Sequence, residues 1–182
     1  VASPQDRIRV HERNAPDDTF GWGVVFSEAT LDNLRDADEA SYREIAATFA
    51  KWDAVDVYYR GEVVRSGGHG FCGIERRKLL NILQGRAAKL GVEIRYRVEI
   101  SDLGAFAESD LVVAADGINS RIRGMYAERF RPSIDVRKAK FIWLGTTRPF
   151  EAFTFCLREN RHGFFTVHAY QFNEKLSTFI VE

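Results

Sequence analysis

The stretch LVVAADGINSRIR, residues 111–123, decides the fold. Its apolar first half ends abruptly at Asp116-Gly117, and the hydroxyl of Ser120 and the guanidinium of Arg123 follow. We expect a buried parallel strand over 111–115 whose carboxyl end opens into a polar turn, because open α/β sheets hold their ligands at such ends. The alternative is an ordinary strand-to-helix turn with Asp-Gly at its corner.

The composition is that of a globular protein with balanced charge. The 182 residues are 45% hydrophobic and 29% charged, enough for one domain and part of a second. Lys+Arg and Asp+Glu both number 26, which argues against nucleic acid or an acidic membrane as a partner. No apolar run approaches the roughly 20 residues of a membrane helix. Cys72 and Cys156 lie far apart in no metal-binding spacing, so we expect a reduced, cytoplasmic chain without a metal site.

Hydrophobic periodicity predicts alternating helices and strands in the first part of the chain. The first expected helix begins at Ser27 and runs to about residue 34, and two more cover 41–52 and 75–90. The helix over 75–90 has an apolar stripe of Leu79, Leu80, Leu83, Ala87 and Leu90. The expected strands cover 7–10, 92–96 and 111–115, with a hairpin over 55–59 and 62–65. This order predicts a βαβ-type dinucleotide-binding layer.

The pattern changes after about residue 135, where strands dominate. Four β-rich segments cover 140–147, 153–158, 163–170 and 176–181. They predict an antiparallel sheet in an α+β second domain. We therefore expect a partial dinucleotide-binding domain over 1–134 and a partial substrate domain over 135–182, and the hairpin within 55–68 could belong to the second.

Glu12 is the first candidate for ligand binding. In a dinucleotide-binding fold, an acidic residue at the end of the second strand accepts hydrogen bonds from a ribose. A Gly-rich turn normally precedes that residue by about 20 positions. Only 11 residues precede Glu12, and they contain no such turn. We therefore expect the chain to begin in the linker before the second strand; a solvated charge at a strand end is the alternative.

Arg76 is the second candidate. It heads the helix predicted over 75–90, where a cation opposes the positive end of the helix dipole. An anion nearby, such as a cofactor pyrophosphate, would resolve the conflict. Local pairing that involves Glu75 or Arg77 is the alternative.

Several strings of the sequence resemble one enzyme family. They are the pattern D-G-x-x-S-x-x-R over 116–123, the spacing R-x-x-L-x-x-x-L from Arg76, and the strings at 10–14, 20–26, 66–74, 141–146, 168–170 and 177–182. Together they resemble the class A FAD-dependent aromatic monooxygenases, in particular those that hydroxylate aromatic acyl-CoA thioesters. The resemblance covers essentially the whole chain. The family's Gly-rich first motif and its Gly-Asp third motif are missing, so we expect an internal fragment.

The resemblance implies a p-hydroxybenzoate-hydroxylase-like fold. Its parts would be an α/β dinucleotide-binding (FAD) layer, truncated at its N-terminus, and a β-rich substrate domain (α+β). It also implies an enzyme that uses FAD, O₂ and either NADH or NADPH to hydroxylate an aromatic molecule or aromatic acyl-CoA through a flavin C4a-hydroperoxide. We expect the fragment alone to be poorly stable and inactive. The sequence leaves the oligomeric state open.

The resemblance assigns roles to specific residues. The cofactor-binding residues that it implies are Glu12, Arg13, Gly21, Trp22, Gly23, Arg76, Asp116, Gly117, Ser120 and Arg123. Glu12 and Asp116 would bind ribose, and Arg76 the phosphate side. The loop over 21–23 would lie at the flavin ring, because glycine allows close backbone approach and an indole can stack on a flat ring. A turn with a core tryptophan is the alternative for that loop.

Three residues are candidates for substrate contact: His69, His168 and Tyr170. His69 lies between glycines, while His168 and Tyr170 alternate along a predicted strand and share one face. A surface histidine and ordinary core packing are the alternatives. No catalytic base is assigned, because in such enzymes the cofactor carries the hard chemistry. Two other classes remain open, a nicotinamide-dependent Rossmann oxidoreductase without flavin and a non-enzymatic interaction module.

Overall fold

The computed structural model describes residues 5–182 and has a mixed α+β architecture. Within these residues, the strands form three sheets of two, three and six members. The small sheets and the helices lie mainly in the first half of the sequence, and the large sheet draws on both halves.

The two-stranded sheet is parallel and joins β1 (Arg9–Glu12) to β7 (Glu93–Tyr96). β7 alternates between exposed and half-buried residues, as its sequence predicts. The helix expected before β7 is confirmed as α3 (Arg76–Lys89). Its predicted stripe is partly wrong: Leu83 and Leu90 are exposed, and the buried side chain is Ile82. The reason is that α3 packs against the three-stranded sheet and its helices through Ile82 and Leu79.

The three-stranded sheet is antiparallel, in the order β2 (Gly23–Phe26), β6 (Phe71–Glu75), β3 (Ala50–Trp52). The helices α1 (Glu28–Ala37) and α2 (Glu39–Ala46) follow β2 in the chain. A core cluster of Ile45, Ile74 and Ile82 joins α2, β6 and α3.

The helix predicted over 41–52 is wrong in its second half. The structure ends α2 at Ala46, where the backbone N–H and hydroxyl of Thr48 both donate to the carbonyl of Ile45. Trp52 then enters β3 and stacks on Tyr170 of the large sheet, with the ring centroids 6.0 Å apart. Tertiary packing of the indole therefore overrides the local helical period.

Local capping of the helices follows the sequence. Ser27 accepts a hydrogen bond from the backbone N–H of Thr30 and begins α1, as predicted. Asp38 ends α1, caps α2 through the N–H of Ser41, and receives two bonds of 2.7 and 2.9 Å from the guanidinium of Arg86 in α3. Hydrogen bonding to Arg86, then to Ser41, holds the pKa of Asp38 far below its usual range. One carboxylate thus ties three helices together.

The six-stranded sheet has the order β5-β4-β9-β10-β11-β8. Its members are β4 (Val55–Tyr59), β5 (Glu62–Ser66), β8 (Ile142–Thr146), β9 (Phe153–Asn160), β10 (Gly163–Gln171) and β11 (Ser177–Val181). The predicted hairpin and the four strands predicted after residue 135 are therefore confirmed. Neighbours are antiparallel except β4 and β9, which are parallel.

The buried strand expected over 111–115 is wrong. These residues form no strand, and the relative exposure of Leu111 and Val113 is 79% and 75%. No strand within residues 5–182 pairs with them, so their backbone lacks a hydrogen-bonding ladder. The parallel layer that the structure describes is limited to β1 and β7. The predicted polar turn nevertheless leads into two short helices, α4 (Arg121–Met125) and α5 (Ala127–Phe130).

Membrane crossing would require a longer and more apolar helix than any within residues 5–182.

We expect Asp38→Asn to lower stability at neutral pH, because asparagine retains the capping oxygen but loses the charge that Arg86 binds. The pKa of Asp38 is depressed in the folded state, so its contribution is present above the ordinary value of 3.8 and is lost as the pH falls. The difference in melting temperature between the wild type and Asp38→Asn should therefore decrease from pH 7 to pH 3. Asp36→Asn, at an exposed carboxylate, is the matched control. A gap that stays constant across this range would contradict the assignment.

Candidate functional site

The D-G-x-x-S-x-x-R motif folds into a turn closed by its own hydrogen bonds. The hydroxyl of Ser120 donates to Asp116 Oδ1 at 2.5 Å, and the N–H of Ile122 donates to Asp116 Oδ2 at 3.3 Å. Ser120 Oγ also accepts from the N–H of Arg123 at 2.9 Å and caps α4. The Arg123 guanidinium donates to the carbonyl of Ile118. Asp116 therefore has a structural role in the turn, as the ordinary-turn alternative expects.

The same motif borders a cavity of about 770 Å³. Asp116, Gly117, Ser120 and Arg123 all line it, and its apolar walls include Val112, Tyr126 and Phe130. Gly117 has a φ of +84°, which only glycine adopts readily, so the corner requires this residue. The hydrogen bond from Ser120 is the main cause that lowers the pKa of Asp116, which is therefore ionised at neutral pH. A carboxylate and a guanidinium beside apolar walls suit a ligand with hydroxyl or phosphate groups.

Glu12 lies at the carboxyl end of β1, as its sequence position predicts. It is half-buried, and its Oε1 accepts a 2.7 Å hydrogen bond from the N–H of Asn14. Arg13, the next residue, is exposed. The imidazole of His11 meets the ring of Phe106 at 5.1 Å, edge to face, and this contact ties β1 to the segment that leads to the motif. Arg121 of the motif pairs at 2.9 Å with Glu99, three residues after β7.

The loop over 21–23 is held between the helical part of the chain and the six-stranded sheet. The N–H of Arg76 donates to the carbonyl of Trp22 at 2.9 Å. The N–H of Gly23 donates to Thr178 Oγ1 at 3.1 Å, and the hydroxyl of Tyr170 donates to the carbonyl of Gly23 at 2.9 Å. Both backbone groups of Gly23 are thus bonded to the large sheet. Burial raises the pKa of Tyr170, which favours the protonated, donating hydroxyl.

Two glycines and two tryptophans interlock at this loop. A Cβ atom at Gly21 would lie 2.7 Å from the indole of Trp143, and a Cβ atom at Gly145 would lie 2.8 Å from the indole of Trp22. The Arg76 guanidinium lies 5.9 Å from the centre of the Trp143 ring. Trp22 packs on β8 yet remains 45% exposed, so it combines the packing role with an accessible indole.

An aromatic cluster connects the three candidates for substrate contact. Centroid distances between successive rings are 5.9, 5.4, 4.6 and 5.1 Å along the series His69, Phe71, Phe153, Phe155 and His168. Tyr170 contacts Phe153 at 5.6 Å. His69 is exposed at one end, where Nε2 lies 2.8 Å from Ser66 Oγ. His168 is half-buried at the other end, and Tyr170 is buried with its hydroxyl bonded to Gly23.

The candidates therefore fall into two groups. Glu12, Arg13 and the motif at 116–123 lie around the parallel strands and their following segments, whereas the loop over 21–23, Arg76 and the aromatic cluster lie at the large sheet. Sequence reasoning missed Trp143, Gly145 and Phe155, although the period of two along strands placed Trp143 and Gly145 on one face. Among residues 5–182, no group of three or more His, Cys, Asp or Glu side chains could hold a metal ion.

Comparison with known proteins adds independent information. No family model matches the chain. It is 45% identical to a salicyloyl-CoA 5-hydroxylase of Streptomyces sp. over 98% of this chain and 35% of that protein. It is 33% identical to a 3-hydroxy-4-methyl-anthranilyl-[aryl-carrier protein] 5-monooxygenase of Streptosporangium sibiricum over 97% of this chain and 50% of that protein.

Among solved structures, the fold resembles PqsL of Pseudomonas aeruginosa, described as a probable FAD-dependent monooxygenase. The TM-score is 0.65 at 16% identity, over 96% of this chain and 53% of that one. Another structure of PqsL contains 2-aminobenzoylacetate.

By their names these proteins are a hydroxylase and two monooxygenases. In sequence the chain is similar to these aromatic-ring-oxygenating relatives, and it shares its fold with PqsL. It spans about a third to a half of the length of the curated relatives it matches.

We expect Gly21→Ala to destabilise the protein, because φ is +78° at Gly21 and the added methyl group would overlap the Trp143 indole. The expected loss in the free energy of unfolding is about 1–3 kcal/mol, measured by denaturant unfolding with tryptophan fluorescence. Gly124→Ala is the control, because a Cβ atom there has nothing within 4 Å and the residue lies in a helix. Equal stability of the two variants would refute the interlock.

Proposed function

We propose that the protein containing this chain is an FAD- and NAD(P)H-dependent monooxygenase that hydroxylates the ring of an aromatic acyl thioester. The observation that carries the proposal is the interlock of the loop over 21–23 with the large sheet. It brings Arg76 and Trp22, two of the residues proposed for the cofactor, onto the sheet that contributes four rings to the aromatic cluster. The two relatives described above have aromatic acyl groups in their names, salicyloyl-CoA and an anthranilyl group on a carrier protein, and this supports a thioester substrate.

The residues present fit FAD. The first turn of α3 contains no acidic side chain, and Glu75 makes no side-chain cap bond, so Arg76 adds positive charge to an already positive helix end. A pyrophosphate at the start of α3 would be bound both by the positive end of the helix and by Arg76. Nε1 of Trp143 is a buried donor without a hydrogen-bond partner among the described residues, and a bound group could satisfy it. Glu12 and Asp116 supply carboxylate oxygens for ribose hydroxyls.

The chemistry divides between cofactor and protein. FAD, when bound and reduced by NADH or NADPH, supplies the activation of O₂: one oxygen atom enters a ring C–H bond as hydroxyl, and the other leaves as water. The chain itself contributes binding, orientation and exclusion of water. The aromatic cluster provides an apolar surface for a flat ring, which is the main requirement for an electron-rich substrate.

We also propose the division into a cofactor domain over 1–134 and a substrate domain over 135–182, with the hairpin β4–β5 assigned to the second. The support is the pairing of β4 with β9, which continues the large sheet through the hairpin.

The first test is a spectrum and an assay of the full-length protein. We expect flavin absorption bands, and NAD(P)H oxidation that salicyloyl-CoA stimulates and free salicylate does not, with a hydroxylated thioester as product. Flavin without any aromatic stimulation would overturn the substrate class. A folded protein that binds no flavin after reconstitution would overturn the cofactor assignment.

We expect Asp116→Asn to weaken FAD binding about tenfold or more, because a hydrogen bond to a charged group contributes roughly 1.5–3 kcal/mol. Flavin retention and the dissociation constant of FAD are the measurements. Asp135→Asn, at an exposed carboxylate paired with Arg137, is the matched control. Melting of both apo variants separates loss of the turn from loss of the ligand contact. Unchanged affinity in Asp116→Asn would remove this residue from the cofactor site.

A further inference from the structure

A single row of side chains crosses all six strands of the large sheet on one face. The strand register places these residues side by side: Trp143, Ile180, His168, Phe155, Val57 and Val64. Five of the six are apolar, and His168 is the one side chain of the row with both hydrogen-bond donor and acceptor capacity. The row therefore presents one polar group in the middle of an apolar strip.

The neighbouring row on the same face is covered. Gly145 lies under Trp22, Thr178 accepts from Gly23, and Tyr170 donates to Gly23. Trp52 stacks on Tyr170 and closes that side. The row that contains His168 lies just beyond this cover, and Trp143, Ile180, His168 and Phe155 are all half-buried. The loop over 21–23 and the three-stranded sheet thus form a wall, and the row is the floor beside it.

His168 is held in place on this floor. Its ring lies 5.1 Å from that of Phe155, and its Nε2 lies 3.9 Å from Glu182 Oε2. The backbone of Glu182 is fixed, because it exchanges two hydrogen bonds of 2.9 and 3.0 Å with that of Thr166. The side chain of His168 is 29% exposed, so the imidazole is accessible to a ligand and yet constrained in orientation.

The row also sets the distance between His168 and the loop. Trp143, beneath Gly21 and Arg76, lies two strands from His168, which is about 10 Å at the usual strand spacing. That span accommodates one aromatic ring with a substituent. Ile180 lies between the two positions and offers an apolar surface for the ring.

We propose that His168 hydrogen-bonds the hydroxyl or amino group on the substrate ring, and that Glu182 is the positioning residue for His168. The inference rests on the proposed function and names the part of the substrate that the site recognises. An imidazole can donate to or accept from either substituent, whereas the rest of the row can only pack against the ring. His168 therefore determines specificity for substituted over unsubstituted aromatic acyl groups.

The test compares substituted and unsubstituted substrates in the full-length holoenzyme. The variants are His168→Phe, which keeps the ring shape, His168→Gln, which keeps donor and acceptor, and Glu182→Gln. His162→Gln is the matched control, because His162 lies in the turn between β9 and β10, away from the row. Binding of salicyloyl-CoA, 2-aminobenzoyl-CoA and benzoyl-CoA is measured by the change that each causes in the flavin spectrum, and KM and kcat are measured separately.

We expect His168→Phe to weaken binding of the two substituted thioesters about tenfold while binding of benzoyl-CoA stays the same. His168→Gln should retain part of the preference, and Glu182→Gln should raise KM for the substituted substrates with little change in kcat. The control should match the wild type. A preference that survives in His168→Phe would overturn the proposal, since a purely structural role would affect all three ligands equally.

The outcomes also separate this inference from the proposed function. If the wild-type holoenzyme responds to none of the thioesters, the proposed substrate class fails and this inference fails with it. If the wild type binds and hydroxylates salicyloyl-CoA but His168→Phe keeps the same substrate ratio, the role of His168 alone is refuted.

Discussion

The joint between the loop over 21–23 and the large sheet is the contact on which the rest of the structure depends. Both backbone groups of Gly23 are bonded to side chains of that sheet, and a buried backbone group left without a partner costs about 1–3 kcal/mol. The two glycine–indole contacts allow no side chain larger than hydrogen at Gly21 or Gly145. The loop and Arg76 therefore lie against one defined face of the sheet, and that face carries Phe153, Phe155, His168 and Tyr170 of the aromatic cluster.

Local sequence patterns correctly predicted the elements whose formation depends on residues nearby in the chain. The hairpin β4–β5 follows from alternating strands around Arg60-Gly61, where both residues adopt positive φ. The start of α1 at Ser27 follows from capping, and α3 follows from its helical period. Two elements could not be predicted this way. Trp52 leaves the helical pattern because its indole packs on a strand more than a hundred residues away, and residues 111–115 have strand-like composition but no neighbouring strand.

The same difference between local patterns and long-range contacts applies to the candidate site. The resemblance assigned roles to individual residues such as Glu12, Asp116 and Arg76, because motifs are visible in the sequence, and those roles stay predictions. The relations between distant strands were not visible, because register depends on pairing that no local pattern encodes. Trp143, His168 and Phe155 share one row only through three separate pairings. The internal hydrogen bonds of the Asp116 turn were equally hidden, although they explain why that motif holds its shape beside an open cavity.

The hairpin β4–β5 has a consequence for how such proteins can be recombined. It lies in sequence between β3 and β6, and both of these strands belong to the three-stranded sheet. The hairpin nevertheless supplies one edge of the six-stranded sheet. A chimera that exchanged residues 135–182 alone would import β8 to β11. The imported β9 would then have to pair with the original β4. Grafting the aromatic surface of another protein onto this scaffold therefore requires one crossover on each side of residues 55–66 and a third near residue 135. The unit that a designer or a natural recombination event must transfer intact is discontinuous in the gene.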